Sequence, residues 1–131
     1  MKKTLWIICA LLLLVACTND TKLSDAYDER TLEEKSLDAV TAFLEGEYGT
    51  LRAMGDEQFK KALTDEVLDE AKKVIEPAGT WKAITEINLS GLKKDDTDYG
   101  VAVVKLEFEK GSHVFTVVFL PESVVTGFFV K

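Results

Sequence analysis

The sequence predicts an α+β domain in which N-terminal helices pack on one face of a curved, four-stranded antiparallel meander sheet. Apolar residues recur at helical spacing between residues 31 and 79, and from residue 81 they alternate with polar residues as they do in strands. The connections in the strand region are short, which favours antiparallel neighbours over long crossovers.

The helical half is predicted to begin with one helix followed by two short helical turns. Thr31 can cap the first helix while Glu34 returns the bond as a capping box, and Gly46 is the natural stop. The apolar stripe of this helix consists of Leu37, Val40, Phe43 and Leu44. Two short helical turns are expected between residues 50 and 63, because Gly55 interrupts the apolar run.

A further helix is predicted to start at Thr64 or Asp65 and to end at Pro77 and Gly79. Its apolar residues follow the spacing of one helix face: Val67, Leu68, Ala71, Val74 and Ile75. The pattern is typical of an amphipathic helix.

Four apolar residues share one side of the first predicted strand: Trp81, Ala83, Ile87 and Leu89. Ile84 is out of phase with them, which indicates a bulge or an irregular start. Residues 91–98 are expected to form a loop, and a last strand over residues 124–130 follows a turn at Pro121.

A two-residue turn at Lys110 and Gly111 is predicted to join the second and third strands. The register pairs the inward residues of the two strands: Phe108 with His113, Leu106 with Phe115, Val104 with Val117, and Ala102 with Phe119. One face is then almost wholly apolar, whereas a slip by one residue would bring Lys105 and Glu107 to the buried side.

The opposite face of this hairpin gathers four apolar side chains at one end: Val101, Val103, Val118 and Leu120. A solvated sheet face does not require such a cluster. One interpretation is that the N-terminal segment or the last strand covers it. The other is an interaction surface, which predicts a homodimer or docking to an envelope protein partner.

The N-terminus has the layout of a lipoprotein leader: a basic start, an apolar run over residues 5–15, and the small Ala16 before Cys17. The run is shorter than the roughly 18 apolar residues of a membrane span. Lipoproteins with a similar lipobox carry a diacylglycerol thioether on this cysteine. We therefore expect residues 1–16 to be a signal peptide and Cys17 to anchor the chain on the extracytoplasmic face of a bacterial membrane.

Residues 17–30 are predicted to be the lipidated cysteine and a flexible tether, because the segment is mostly polar and contains few apolar residues. Such a tether would hold the domain a few nanometres from the bilayer. Residues 31–131 then form a single α+β domain.

Loss of the leader removes Lys2 and Lys3 and no acidic residue, so the formal net charge changes from −7 to −9. An acidic domain of this kind disfavours nucleic-acid binding and polybasic adhesion to membranes. Cys9 leaves with the leader and Cys17 is alkylated, which excludes a disulfide or a zinc–thiolate site.

Residues that could support catalysis or bind a metal are sparse. His113 is the single histidine and is expected to pack as a strand residue. Asp96, Asp98 and Glu107 match three ligand positions of a calcium loop, but Val101 stands where that loop needs glycine. We predict no catalytic residue, no metal and no cofactor. Two phenols, those of Tyr48 and Tyr99, are available to act with a carboxylate.

Four segments resemble a known family: residues 43–48, 79–82, 103–111 and 127–129. Together they make the chain from about residue 40 onwards similar to the bacterial lipoprotein domain called domain of unknown function 3887. The resemblance implies a cone-shaped architecture like that of nuclear transport factor two or cystatin. Such cone folds often associate through the outer sheet face.

Two functions from different classes remain open. The first is a non-catalytic, lipid-anchored binding or interaction module. The second is a small cone-fold enzyme or carrier that acts on an apolar ligand in its cavity. A buried, paired carboxylate in a sizeable pocket would favour the second, and a filled cone would favour the first.

Replacing the lipobox cysteine tests the anchor. Cys17→Ser should give an unprocessed or released protein in place of a membrane-bound one, because serine cannot form the thioether. Fractionation of cells that express each form measures this. A serine variant that stays with the membrane at the processed size would exclude the lipoprotein assignment.

Overall fold

Four helices precede a four-stranded antiparallel sheet, which confirms the predicted fold class. A computed structural model describes residues 22–131, so Cys17 and the leader lie outside the described residues. The helices are α1 (Glu29–Leu44), α2 (Tyr48–Ala53), α3 (Glu57–Ala62) and α4 (Asp65–Ile75), and a 3₁₀ turn over Glu76–Ala78 follows them. The strands are β1 (Trp81–Lys94), β2 (Thr97–Phe108), β3 (Gly111–Leu120) and β4 (Val124–Val130), with a second 3₁₀ turn over Pro121–Ser123 before β4. They pair in sequence order as a meander.

Helix α1 begins earlier than predicted, because Asp28 and not Thr31 caps it. The Asp28 carboxylate accepts hydrogen bonds from the Thr31 backbone N–H at 3.0 Å and from the Thr31 hydroxyl at 2.8 Å. A carboxylate also suits the positive end of the helix dipole. The other predicted helix signals are confirmed: Gly46 follows the end of α1 with a φ of 76°, two short helices follow, and Thr64 caps α4.

The segment before α1 packs on the sheet, so the predicted domain boundary at residue 31 is wrong for residues 22–30. Tyr27 is 7% exposed, and its hydroxyl lies 2.6 Å from the Asp98 carbonyl oxygen and 3.0 Å from that of Phe119. The Leu23 side chain lies beside Gly100, where a Cβ would crowd it. Burial of these two side chains offsets the conformational entropy that the segment loses when it becomes ordered. The polar composition of the segment had suggested that it buries too little apolar surface for this.

Residues 91–98 form no long loop, contrary to the prediction. Strand β1 continues to Lys94, and β2 starts at Thr97. The two turn residues Asp95 and Asp96 adopt φ values of 51° and 63°, a conformation that aspartate tolerates better than most residues and that primed hairpin turns require.

The β2–β3 hairpin has the predicted faces but a register shifted by two residues. Its turn residues are Glu109 and Lys110, and Phe108 pairs with Gly111. The displaced pairs include Leu106 with His113, Val104 with Phe115, and Ala102 with Val117. A two-residue slip keeps every side chain on its face, so the apolar pattern allows both registers.

Contacts with the start of β1 fix the turn. The Thr80 backbone N–H donates to the Glu109 carboxylate at 2.8 Å, and the Glu109 N–H donates to the Thr80 carbonyl at 3.0 Å. The hydrogen bonds from Thr80 hold the pKa of Glu109 below its usual value. The Lys110 N–H donates to the Ala78 carbonyl at 2.9 Å. These bonds select the observed turn over the predicted one.

The hydrophobic core lies between the helices and the inner face of the sheet. Three phenylalanine rings meet at its centre. The centroid of the Phe43 ring lies 5.9 Å from that of Phe115 and 5.3 Å from that of Phe128, and the centroids of the Phe115 and Phe128 rings are 6.2 Å apart. The contacts join α1 to β3 and β4. Aromatic pairs at such distances add to the stabilisation from burial alone.

Strand β1 is an edge strand with two irregularities, between Trp81 and Ala83 and between Ile84 and Glu86. The bulge that Ile84 indicated is therefore confirmed. The lower part of β1 is exposed, contrary to the common inner side predicted for Trp81 and Ala83. On α4, Val67 and Val74 also remain exposed, whereas Leu68 and Ile75 are buried.

Truncation of inner-face side chains should destabilise the domain strongly. Leu106 and Phe115 are 1% and 0% exposed, so Leu106→Ala or Phe115→Ala should each cost about 2–5 kcal/mol of unfolding free energy. Lys105 precedes Leu106 on β2 and is exposed on the opposite face, so Lys105→Ala should cost far less. Urea denaturation measures the three values, and similar losses in all three variants would show that the faces are assigned incorrectly.

Candidate functional site: the outer face of the sheet

The four predicted interface residues lie on the side of the sheet that faces away from the helices. Val101 and Val103 alternate on β2 with fully buried residues, as do Val118 and Leu120 on β3. All four remain partly exposed. In the observed register Val101 pairs with Val118, and Val103 pairs with Thr116.

Phe129 on β4 extends this apolar surface and was not predicted as part of it. It pairs with Thr116, and a Cβ on the neighbouring Gly127 would lie 3.0 Å from the Phe129 ring and 3.3 Å from Val118. The ring therefore lies beside Gly127 and close to Val118. Consecutive strand residues point to opposite faces, so the pair Phe128 and Phe129 could have revealed this residue in the sequence.

The apolar part of the face lies towards one end of the sheet. We call this the upper end; it carries the β1–β2 turn and the β3–β4 turn. Four partly exposed residues form what we call the upper row: Leu92, Tyr99, Leu120 and Val124. Towards the β2–β3 turn, which marks the lower end, the face becomes polar at Lys105, Glu107 and Ser112.

Neither the N-terminal segment nor the last strand covers this face within residues 22–131. Leu23, Tyr27 and Leu32 contact the position of Gly100, which belongs to the inner face. Strand β4 pairs edge to edge with β3 and does not fold over it. The outer valines do not belong to the core cluster. The covering interpretation is therefore wrong for the described residues.

Charge is distributed unequally between the two sides of the molecule. Residues 29–75, which contain all four helices, carry twelve acidic and seven basic residues. Residues 81–131, which contain the sheet, carry seven acidic and six basic residues. The helical layer thus holds most of the net negative charge, and the sheet is close to neutral.

Tyr48 does meet a carboxylate, but on the helical surface. Its hydroxyl donates a hydrogen bond to the Asp69 carboxylate at 3.0 Å and connects α2 to α4. Burial and the contact with Asp69 raise the pKa of Tyr48 to about 12, so the phenol is a weaker acid than usual. Next to it, the Lys72 ammonium donates to the Leu44 carbonyl at 2.9 Å and lies 5.6 Å from the centre of the Phe43 ring. This cluster joins three helices and is structural.

The remaining sequence candidates are not brought together. The His113 ring packs edge-on against Phe108 at 5.3 Å, and its Nδ1 lies 3.0 Å from the Lys131 main-chain oxygen, so Nδ1 carries the hydrogen. Asp96 and Glu107 are near opposite ends of β2, about 36 Å apart along an extended strand. Within residues 22–131 no cluster of three or more histidine, cysteine or acidic side chains could hold a metal ion.

The interior that a ligand-binding cone would leave open is occupied by side chains. The three central phenylalanine rings fill the space between α1 and the sheet, and the buried polar residues of the described chain are Ser36 and Ser123. Two open depressions among residues 22–131 lie on the helical surface. One is lined by Asp28, Glu29, Arg30, Glu33, Glu34 and Leu37. The other surrounds Arg52 and Asp65.

Fold and faces together describe a small α+β domain with a filled core and an open outer sheet face. Residues 36–128 match the family described as Protein of unknown function (DUF3887), and the chain belongs to this family. The resemblance seen in the sequence is therefore confirmed. No curated protein is significantly similar to the chain.

A solved structure supports the fold. It is described as "NMR structure of protein from Ruminococcus gnavus ATCC 29149" and is 18% identical, with a TM-score of 0.74 over 83% of this chain and 96% of that chain. At this identity the likeness concerns the fold alone. Between residues 22 and 131, no helix has the length and apolar character needed to cross a membrane.

The pKa of Tyr48 predicts a loss of stability in alkali. Because the pKa of Tyr48 is about 12 in the folded state and 10.0 for an ordinary tyrosine, the stabilisation is present below pH 10 and is lost as the pH rises towards 12. Tyr48→Phe should cost about 0.5–1.5 kcal/mol at neutral pH and should reduce the alkaline loss. Urea denaturation as a function of pH measures both effects.

Tyr99→Phe is the matched control, since the Tyr99 hydroxyl makes no hydrogen bond within residues 22–131. Its unfolding free energy at neutral pH should be close to that of the unmodified protein. A Tyr48→Phe variant with an unchanged alkaline transition would contradict the assignment.

Proposed function

We propose that the protein is a lipid-anchored, non-catalytic interaction module on the extracytoplasmic face of a bacterial membrane. The observation that carries the proposal is the outer face, where Val101, Val103, Val118, Leu120 and Phe129 are partly exposed on the side opposite the helices. The lipobox ending at Cys17 supports the anchor and the location.

The size of the outer face suits a protein interface. Four strands spaced about 4.8 Å apart give a width of roughly 19 Å. The β2–β3 ladder pairs nine residues on each strand, which corresponds to a length of about 30 Å. The resulting flat area of roughly 570 Å² approaches the ~800 Å² of accessible surface that each partner buries in a standard interface.

The electrostatics of the face favour association with a second copy. The chain without its leader carries a net charge of −9, so most approaches between two copies are repulsive. The sheet side is nearly neutral and apolar, and it allows contact at the lowest electrostatic cost. We therefore propose that the face forms a homodimer, with a neighbouring envelope protein as the alternative occupant.

The filled interior supports an interaction module over an enzyme or carrier. A carrier of apolar ligands needs an open cavity, and a catalyst of the cone type needs a carboxylate within it. The buried polar residues between 22 and 131 are two serines, and no carboxylate is among them.

Val103→Lys tests the proposed function. The side chain faces away from the core, so the variant should remain folded while self-association is abolished. Sedimentation of the chain without its leader, compared over a range of concentrations, measures the oligomeric state. The matched control is Val67→Lys, which makes the same change at an exposed valine of α4, away from the outer face of the sheet, and should leave self-association unchanged.

The outcomes separate the two occupants. A native protein that is monomeric at high concentration excludes the homodimer, and capture through a photo-crosslinker at position 103 in intact cells then tests for an envelope partner. Unfolding of Val103→Lys would show that the face is buried within the monomer, and the proposal would then fail.

A further inference from the structure

The chain enters the domain at a fixed point on the upper end of the sheet. The Lys22 backbone lies against Gly91 of β1, where the absence of a Cβ allows the close approach. Leu23 contacts the position of Gly100, and the Tyr27 hydroxyl bonds to the ends of β2 and β3. Residue 22 is therefore held in place relative to the sheet.

Only a short stretch of chain separates this point from the predicted lipid anchor. Cys17 and Lys22 are five residue steps apart, and an extended chain advances at most about 3.6 Å per residue, so their separation cannot exceed about 18 Å. A tether over residues 17–30 would have allowed a distance of several nanometres. The anchor thus holds the upper end of the sheet close to the bilayer surface.

Charge distinguishes the two sides of the domain at that surface. The helical layer carries an excess of five negative charges over residues 29–75, whereas the strand region carries an excess of one. An anionic phospholipid surface repels the helical layer more strongly within a Debye length of about 10 Å. The sheet is the side that it repels less, although the acidic residues Asp95, Asp96, Asp98 and Glu122 lie at the upper end beside Lys93 and Lys94. Contact at the upper end therefore depends on the short link to the anchor and on the apolar side chains there.

The upper row is chemically suited to lie at a lipid headgroup region. Leu92, Leu120 and Val124 are apolar and partly exposed, and Tyr99 combines an apolar ring with a polar hydroxyl. Tyrosine is enriched at membrane interfaces for this reason. The row lies on the edge of the outer face that the chain entry point brings nearest to the anchor.

We propose that the upper row is the membrane-apposed surface of the protein and contacts the headgroups of the bilayer that carries the anchor. This inference rests on the proposed function, because it requires the lipid on Cys17. The helical layer and the β2–β3 turn point away from the membrane. Leu120 then contacts the headgroups and not a partner protein, whereas Val103 and Val118, further down the same face, remain open to a partner in the same membrane.

Energy transfer from a single tryptophan tests this orientation. Trp6 leaves with the leader, so the processed protein contains one tryptophan, Trp81, at the lower end of β1. The full chain is expressed in a bacterium, extracted and reconstituted into vesicles of phosphatidylethanolamine and phosphatidylglycerol with a dansyl-labelled lipid. Two variants move the donor: Trp81→Phe with Tyr99→Trp, and Trp81→Phe with Val67→Trp on the exposed side of α4.

The Tyr99→Trp variant should transfer energy to the labelled lipid several-fold more efficiently than either the native protein or the Val67→Trp variant. Adding Leu120→Glu to it should lower the transfer, since a carboxylate in the upper row opposes contact with anionic headgroups. Val114→Glu, towards the polar end of the same face, should not. Equal transfer from all three donor positions, or the largest transfer from Val67→Trp, would overturn the inference.

Flotation of the same vesicles separates this inference from the proposed function. A processed protein that floats with the vesicles but transfers energy equally from all positions retains its anchor, and only the orientation is then wrong. A protein that does not float lacks the anchor, and both proposals fail. Circular dichroism of each variant confirms that the donor reports from a folded domain.

Discussion

The packing of Phe43 against Phe115 and Phe128 is the interaction on which the rest of the structure depends. These rings attach α1 to β3 and β4, and they place the helices on one side of the sheet. The same rings occupy the centre of the core between the helices and the sheet. Because the helices occupy only the inner face, the outer face is left as the surface available for binding.

Sequence periodicity determined the faces of the strands but not their register. Alternation places Leu106 and Phe115 inside in either of two registers that differ by two residues, so no count of apolar residues could separate them. The choice depends on hydrogen bonds between Glu109 and Thr80, which are 29 residues apart in the chain. Contacts between residues so far apart in the chain leave no local signal in the sequence. The cap of α1 was missed for another reason, since Asp28 and Thr31 both satisfy the local rule.

The candidate site was predictable in its centre and not at its borders. Val101, Val103, Val118 and Leu120 follow from alternation alone, and the structure places them as expected on one face. The packing of residues 22–30 could not be predicted, because Leu23 and Tyr27 are isolated apolar residues in a polar segment. They pack where Gly91 and Gly100 leave space, and these two glycines are neighbours only once β1 has paired with β2.

The irregular edge of β1 has a consequence wherever copies of the protein lie close together. Molecules that share a membrane plane meet at high local concentration, and a regular exposed edge strand would invite their polymerisation by strand addition. Two bulges interrupt the lower part of this edge between Trp81 and Glu86. The bulges disturb the regular spacing of donors and acceptors that another strand would need. The β1 edge therefore resists the addition of a strand from another copy.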